Sequence, residues 1–278
     1  MSAGNKTKRY LKAKLAGGTM RHKIPSKLKS LFNIMLHARL RDTRYLYQWQ
    51  EVSVLRKVFD RCKVDCVFDI GANRGQYAHL LRQKVKFRGP IVSAEPNPNA
   101  FEALKRKASS DRNWYVKNIA VGKEIGQRQF SVMVGEQFSS LSAPISTDTS
   151  ILAHLNSIQK QVMVKVETPL EFFNDARKSI NFKRPFLKMD TQGYDAVIVR
   201  AAREIIGNFV GMQSELSFKR LYADSMNFED ALRLYENSGF SLCALVPNNE
   251  GHFPYLIEQD GIFINRDFLD HSQKEGIG

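Results

Sequence analysis

The segment Val67-Phe-Asp-Ile-Gly-Ala-Asn-Arg-Gly75 constrains this chain more than any other. An apolar run reaches Asp69-Ile70, breaks on Gly71 and leads into a helix-like stretch. Glycine carries no Cβ, so the backbone at Gly71 and Gly75 can turn tightly and let a ligand lie against it. Asp69 places an acceptor at the carboxyl end of a strand, where open α/β sheets bind their ligands. A strand, a glycine turn and a helix in that order select an α/β fold over all-α or all-β alternatives.

The rest of the chain keeps the alternation. Apolar runs at Val64–Ile70, Pro90–Glu95, Trp114–Val121, Gln129–Val134, Gln161–Glu167, Pro185–Asp190, Phe209–Leu216, Phe240–Val246 and Gly261–Asn265 read as strands. Gln76–Lys84, Pro98–Ala108, Pro169–Asn174, Tyr194–Ile206 and Phe228–Ser238 read as helices between them. The pattern predicts a doubly wound, mostly parallel sheet. The closing helix, strand, loop and strand predict an antiparallel strand at one C-terminal edge. Residues 135–160, rich in Ser, Thr and Gly, read as a long loop, and Ser139–Ser150 within it as either a lid or an ordinary surface loop.

Charge divides the chain. Residues 1–63 hold 16 Lys/Arg against Asp42, Glu51 and Asp60, a net of +13 within a chain total of +14. The expected organisation is a basic extension over residues 1–62, partly helical, and a catalytic domain over 63–278. Leu28, Leu31, Phe32, Met35, Leu36, Leu40, Val52, Leu55, Val58 and Phe59 fall at helical spacing in the extension. Such a segment suits an anionic membrane surface, an acidic glycan or a nucleic acid, or serves only as a solvated tail. No apolar run of spanning length and no secretory pattern is present, and Cys62, Cys66 and Cys243 form no disulfide framework. A cytoplasmic setting, at the inner face of a membrane if the basic segment binds one, is the expectation.

The glycine turn also discriminates between cofactors. Aligned on Gly71, a dinucleotide fingerprint would place glycines where Asn73 and Gln76 stand, and the first of these is where a pyrophosphate must touch backbone. Glu95 closes the next strand 24 residues after Gly71, well placed to accept hydrogen bonds from both ribose hydroxyls. This combination favours S-adenosylmethionine over a nicotinamide dinucleotide.

In the same order along the chain, Asp69-Ile-Gly-Ala-Asn-Arg-Gly75, Glu95-Pro-Asn-Pro-Asn-Ala-Phe101, Asn118-Ile-Ala-Val-Gly122, Ser139-Ser-Leu141 and Leu187-Lys-Met-Asp-Thr-Gln-Gly-Tyr-Asp195 resemble the motifs of the FkbM family of S-adenosylmethionine-dependent methyltransferases. The likeness runs over about residues 64–265. It implies a class I methyltransferase fold and transfer of a methyl group to a hydroxyl oxygen, with a sugar of a cell-surface glycan or glycolipid as acceptor. A small natural product or a nucleic acid is the alternative acceptor; the nearly neutral body and the lack of an Asn/Asp-Pro-Pro-Tyr segment disfavour nucleic acid. Gln192 departs from the family, which more often carries Glu at that position. By position, Asp69, Gly71, Ala72, Asn73, Gly75, Glu95, Asn97, Asn118 and Ala120 are the candidate cofactor residues. A hydroxyl needs help to become a nucleophile, from a base or from a divalent metal, and the pattern leaves the metal undetermined. Asp190 is the first candidate base, Lys188 shares its strand face, and Glu215 is the second candidate base or acceptor ligand.

Overall fold

The computed structural model describes residues 43–135, 139–142, 157–220, 222–247 and 256–268, with side chains from residue 48 onward. The chain divides into two compact units, Met1–Tyr45 and Leu46–Gly278. Nearly all of the first unit lies outside the described residues. So do residues 143–150 of the expected lid segment.

The described elements are α1 (Thr43–Cys62), β1 (Cys66–Ile70), α2 (Gln76–Leu80), which a π-helical turn Leu81–Val85 continues, β2 (Ile91–Ala94), α3 (Pro98–Ala108), β3 (Trp114–Lys117), β4 (Ala120–Val121), β5 (Gly126–Met133), β6 (Ile158–Glu167), α4 (Pro169–Ser179), β7 (Pro185–Met189), α5 (Asp195–Ala201), β8 (Gly211–Ser217), α6 (Phe228–Asn237), β9 (Phe240–Val246) and β10 (Glu258–Asn265). Local chemistry sets several boundaries. Asn97 caps α3 by accepting from Asn99 N, and Pro98 opens that helix where no amide hydrogen is needed. Thr168 and Glu171 form a reciprocal capping box at the start of α4. Asn227 caps α6.

Seven strands form the main sheet in the order β3-β2-β1-β7-β8-β10-β9. β1 pairs in parallel with β2 and β7, β2 with β3, and β7 with β8. β10 runs antiparallel to both β8 and β9. This is a mixed α/β fold with a mostly parallel central sheet. The antiparallel strand is inserted between β8 and β9, so the edge on that side belongs to β9 and not to the C-terminal strand. Ile262 and Phe263 of the inserted strand are fully enclosed.

The segment expected as one strand over Trp114–Val121 is broken. Asn118 turns its amide back to Glu95 O at 2.8 Å and Pro96 O at 3.2 Å, which ends β3. The chain then enters a second sheet, ordered β4-β6-β5. Sequence periodicity does not report this split, because both pieces are apolar.

Successive residues of β1 serve opposite faces. Phe68 packs with Phe172 and Phe173 of α4, Ile198 and Val199 of α5, and Ala231 and Tyr235 of α6. Val67 packs with Val52, Leu55, Val58 and Phe59 of α1 and with Ala78, Leu80 and Leu81 around α2. Helices therefore cover both faces, as a parallel sheet requires. From Leu46 onward α1 belongs to the same compact unit as the sheet, so the packing divides the chain at 45/46 whereas the charge pattern divided it at 62/63. Among the described residues no helix is long and apolar enough to cross a membrane.

Candidate active site

The carboxyl ends of β1, β2 and β7 meet at the glycine turn. Gly71 N and Ala72 N donate to Ala94 O, tying the turn to β2. Asp190 N donates to Ile70 O, tying it to β7. Gly71 and Gly75 hold φ of +82° and +79°, which L side chains rarely adopt. The room expected for a ligand beside these glycines is taken by the protein itself. A Cβ on Gly71 would lie 2.0 Å from Asp190 O, and one on Gly75 would lie 2.6 Å from the Trp114 ring. The glycines let the turn close against β7 and β3, and the ligand-facing groups are those that the turn presents.

Those groups converge on Glu95. Its carboxylate accepts from Asn73 N and Asn97 N, each at 2.7 Å, and Asn118 holds the same backbone from behind. Burial pushes the Glu95 carboxyl up to about 7 against the pull of those two amides. Asn73 Oδ1 and Asn97 Nδ2 are buried without a hydrogen-bond partner among the described residues. Buried polar atoms are as a rule satisfied, so these two atoms offer one acceptor and one donor to an incoming polar ligand, beside the Glu95 carboxyl. A ribose diol and the groups around it fit that set. Asp69 is fully enclosed beside the turn, accepts from Ser93 Oγ at 3.1 Å, and is raised by burial to about 7. Ala120 does not join this group; it sits in β4 and packs with Phe130, Val132, Val164 and Val166 of the small sheet.

The second half of the site lies at the ends of β7 and β8. Asp190 has a side chain 45% exposed, and Lys188, 5% exposed, lies 3.6 Å from it. Burial alone would lower the Lys188 ammonium, but Asp260 and Asp190 hold it above the ordinary lysine range. Gln192 adopts φ of +52° ahead of Gly193. Its amide donates to Asp190 Oδ1 at 3.0 Å and to Glu215 Oε2 at 3.3 Å, while its oxygen accepts from Tyr222 OH at 3.0 Å. The departure from Glu at this position thus joins the two acids instead of separating them. Burial, with Glu258 nearby, drives the Glu215 carboxyl well above its ordinary range. Burial thus disfavours its charged form, and the Gln192 amide already engages Oε2, so Glu215 suits a ligand for the acceptor better than a base. Asp195 accepts from Thr191 N, Ser214 Oγ and Glu215 N, pinning the loop that carries Gln192 to β8.

Residues that the motifs did not single out complete the floor. Gln213 Nε2 donates to Glu51 Oε1 and to Asp260 Oδ2, both at 2.9 Å. Its oxygen accepts from Tyr77 OH at 3.1 Å, and Asp260 lies 3.7 Å from Lys188 Nζ. Glu51 comes from α1, inside the segment read from its charge as an extension. Its carboxyl is raised to about 7, chiefly by burial and next by Asp260. Helical spacing in α1 marked its apolar residues, and a lone acid on such a helix gave no signal. Among the described residues no three His, Cys, Asp or Glu side chains are grouped to hold a metal ion.

Comparison with known proteins follows the same lines. The chain is similar in structure to an FkbM methyltransferase from Methylobacillus flagellatus KT, at 14% identity and a TM-score of 0.42, covering 72% of this chain and 43% of that one. This chain therefore spans less than half of that protein's length. It is also similar to the magnesium protoporphyrin IX methyltransferase of Synechocystis PCC 6803 with bound SAM, at 10% identity and a TM-score of 0.42, covering 89% of this chain and 100% of that one. Fibrillarin of Aeropyrum pernix, with natively bound S-adenosyl-L-methionine, aligns at 13% identity and a TM-score of 0.39, covering 72% of this chain and 66% of that one. Among curated proteins no relative matches the sequence. The profile of the methyltransferase FkbM domain matches residues 69–242, from the acid of the glycine turn to the last edge strand, and the chain belongs to the FkbM methyltransferase family.

Proposed function

We propose that this protein transfers the methyl group of S-adenosylmethionine to a hydroxyl oxygen, with a sugar of a glycan or glycolipid as acceptor. The observation that carries the reading is the half-exposed Asp190 beside the glycine turn, its carboxylate flanked by the Lys188 ammonium and the Gln192 amide. The cofactor would supply an electrophilic methyl group on a sulfonium. Glu95, Asn73 and Asn97 would hold its ribose, and Asp69 would stand beside the turn as a further acceptor. Asp190 would take the acceptor hydroxyl's proton as the oxygen attacks the methyl carbon and the sulfur–methyl bond breaks, so that the acceptor leaves as a methyl ether and the sulfonium as a neutral thioether. Glu215 and Ser225 Oγ, the latter buried without a hydrogen-bond partner among the described residues, would orient the acceptor.

Calorimetry with S-adenosylmethionine on wild type and Asp190→Asn tests the division of labour. Binding within about threefold of wild type, with methyl transfer reduced by about 100-fold or more, is expected for a base. Wild-type turnover in Asp190→Asn would remove Asp190 from that role. The acceptor class is read by mass spectrometry of surface glycans from a deletion strain, where loss of a methyl group from a sugar is expected.

A further inference from the structure

The near-neutral charge of residues 64–278 is the sum of two segregated parts. Residues 74–112 carry nine Lys/Arg against Glu95, Glu102 and Asp111, a net of +6, and the remainder of 64–278 carries 17 against 22, a net of −5. Two of the three acids in the basic part are already engaged. Glu95 is buried in the glycine turn, and Asp111 is paired with Arg82 at 2.7 Å. A cavity of about 760 Å³ lies in this region, with His79, Arg88, Lys107, Arg112, Trp114 and the Arg82–Asp111 pair in its wall.

The cations of this cavity differ in what they already do. Arg82 is structural: it also donates to Phe87 O and Asn113 O and shapes the wall. Lys107 donates to Arg74 O at 2.7 Å, which fixes the ammonium, and among the described residues no carboxylate stands at ion-pair distance from it. Arg88 and Arg112 are exposed, and among the described residues neither has a carboxylate at ion-pair distance. The carboxyl end of α3 accounts for Lys105, Arg106 and Lys107 through the helix dipole. It does not account for Arg88 or Arg112, which stand outside the helices. Trp114 is a fixed wall: Nε1 donates to Ser93 Oγ at 3.0 Å, and the ring edge fills the space beside Gly75.

We propose that this groove binds a diphosphate ester, with its phosphates on Arg88, Lys107 and Arg112 and its organic portion toward Trp114. One carboxylate would be matched by one arginine, whereas three cations around one cavity match the higher charge of phosphate groups. Guanidinium forks suit phosphate oxygens, and the volume lies in the range of small-ligand sites, well beyond a single phosphate. The wall is also linked to the glycine turn, because Ser93 Oγ donates onward to Asp69 Oδ2 at 3.1 Å. The same chemistry has two sources, a free nucleoside or sugar diphosphate and the diphosphate headgroup of a lipid.

The test uses the full chain and inorganic pyrophosphate as the probe, titrated by calorimetry at fixed ionic strength. Saturable binding is expected, weakened about tenfold or more in the Arg88→Ala/Arg112→Ala variant. The melting temperature and S-adenosylmethionine binding should stay at wild-type values, since neither arginine touches the glycine turn. Uridine diphosphate binding more tightly than pyrophosphate would assign the free source. Arginine-dependent retention on phosphatidylcholine vesicles carrying a polyprenyl diphosphate would assign the lipid source. The proposal is overturned if wild type shows no saturable pyrophosphate binding, or if the double substitution leaves that binding unchanged, which would transfer anion binding to the basic residues 1–45.

Discussion

At the scale of single residues, Gly71 and Gln192 show how little of a role is carried by residue type. Gly71 reads in sequence as room for a ligand, yet a side chain there would strike the Asp190 carbonyl at 2.0 Å from a backbone at φ +82°. Neither contact is the far end of a flexible chain, so nothing can yield. Gly71→Ala should lose more stability than the ~1–3 kcal/mol of backbone strain alone, as measured by denaturant unfolding. Gln192 reads as a lost acid, yet its amide holds Asp190 and Glu215 together while Tyr222 fixes which way it faces. Gln192→Glu would place a third carboxyl beside those two. Its proton would be retained on folding, so the variant should melt further below wild type on the alkaline side of neutrality than on the acid side. A melting difference independent of pH would contradict the geometry.

At the scale of elements, α1 changes character between sequence and structure. Its basic residues mark it as an extension, but Glu51 enters the Gln213–Asp260–Lys188 network and Leu55 is fully buried. Glu51 has its carboxyl raised from an ordinary 4.5 to about 7. A raised carboxyl binds its proton more tightly in the folded state, so its stabilising proton is lost as pH rises through the folded value. Glu51→Gln keeps the hydrogen bond from Gln213 and removes the ionisation. Its melting temperature relative to wild type should therefore rise between pH 4.5 and about 7 and stay level above that. A flat difference across that window would show that Glu51 does not titrate in this network. The break between β3 and β4 belongs to the same scale. The segment Trp114–Val121 is apolar on both sides of Lys117-Asn118, and it is the Asn118 amide bonding back to Glu95 and Pro96 that ends one sheet before the next begins.

At the scale of the whole molecule, packing and charge draw different boundaries. A chain beginning at residue 46 retains the compact unit, whereas one beginning at 63 strips Val52, Leu55, Val58 and Phe59 from a core that includes Val67, Phe87 and Phe186. At about 1.5–3 kcal/mol for each buried apolar side chain, the second truncation removes as much as a whole domain's net stability. The expected outcome is a wild-type melting transition for the chain from 46 and no cooperative transition for the chain from 63. Much of the fold was legible because periodicity and glycine turns are local: alternating strands and helices, the turn at Gly71 and the acid at Glu95 all follow from neighbours in sequence. The candidate site was legible where motifs ended strands, at Asp69, Glu95 and Asp190. The sequence by itself determined the strand–turn–helix order and the chemical types gathered at the strand ends. Only the tertiary structure decided where β10 inserts, which atoms fill the space beside the glycines, that Glu51 joins the floor of the site, and that Arg88, Lys107 and Arg112 line one cavity. Those outcomes depend on burial and on contacts between residues far apart in the chain, which no local pattern encodes.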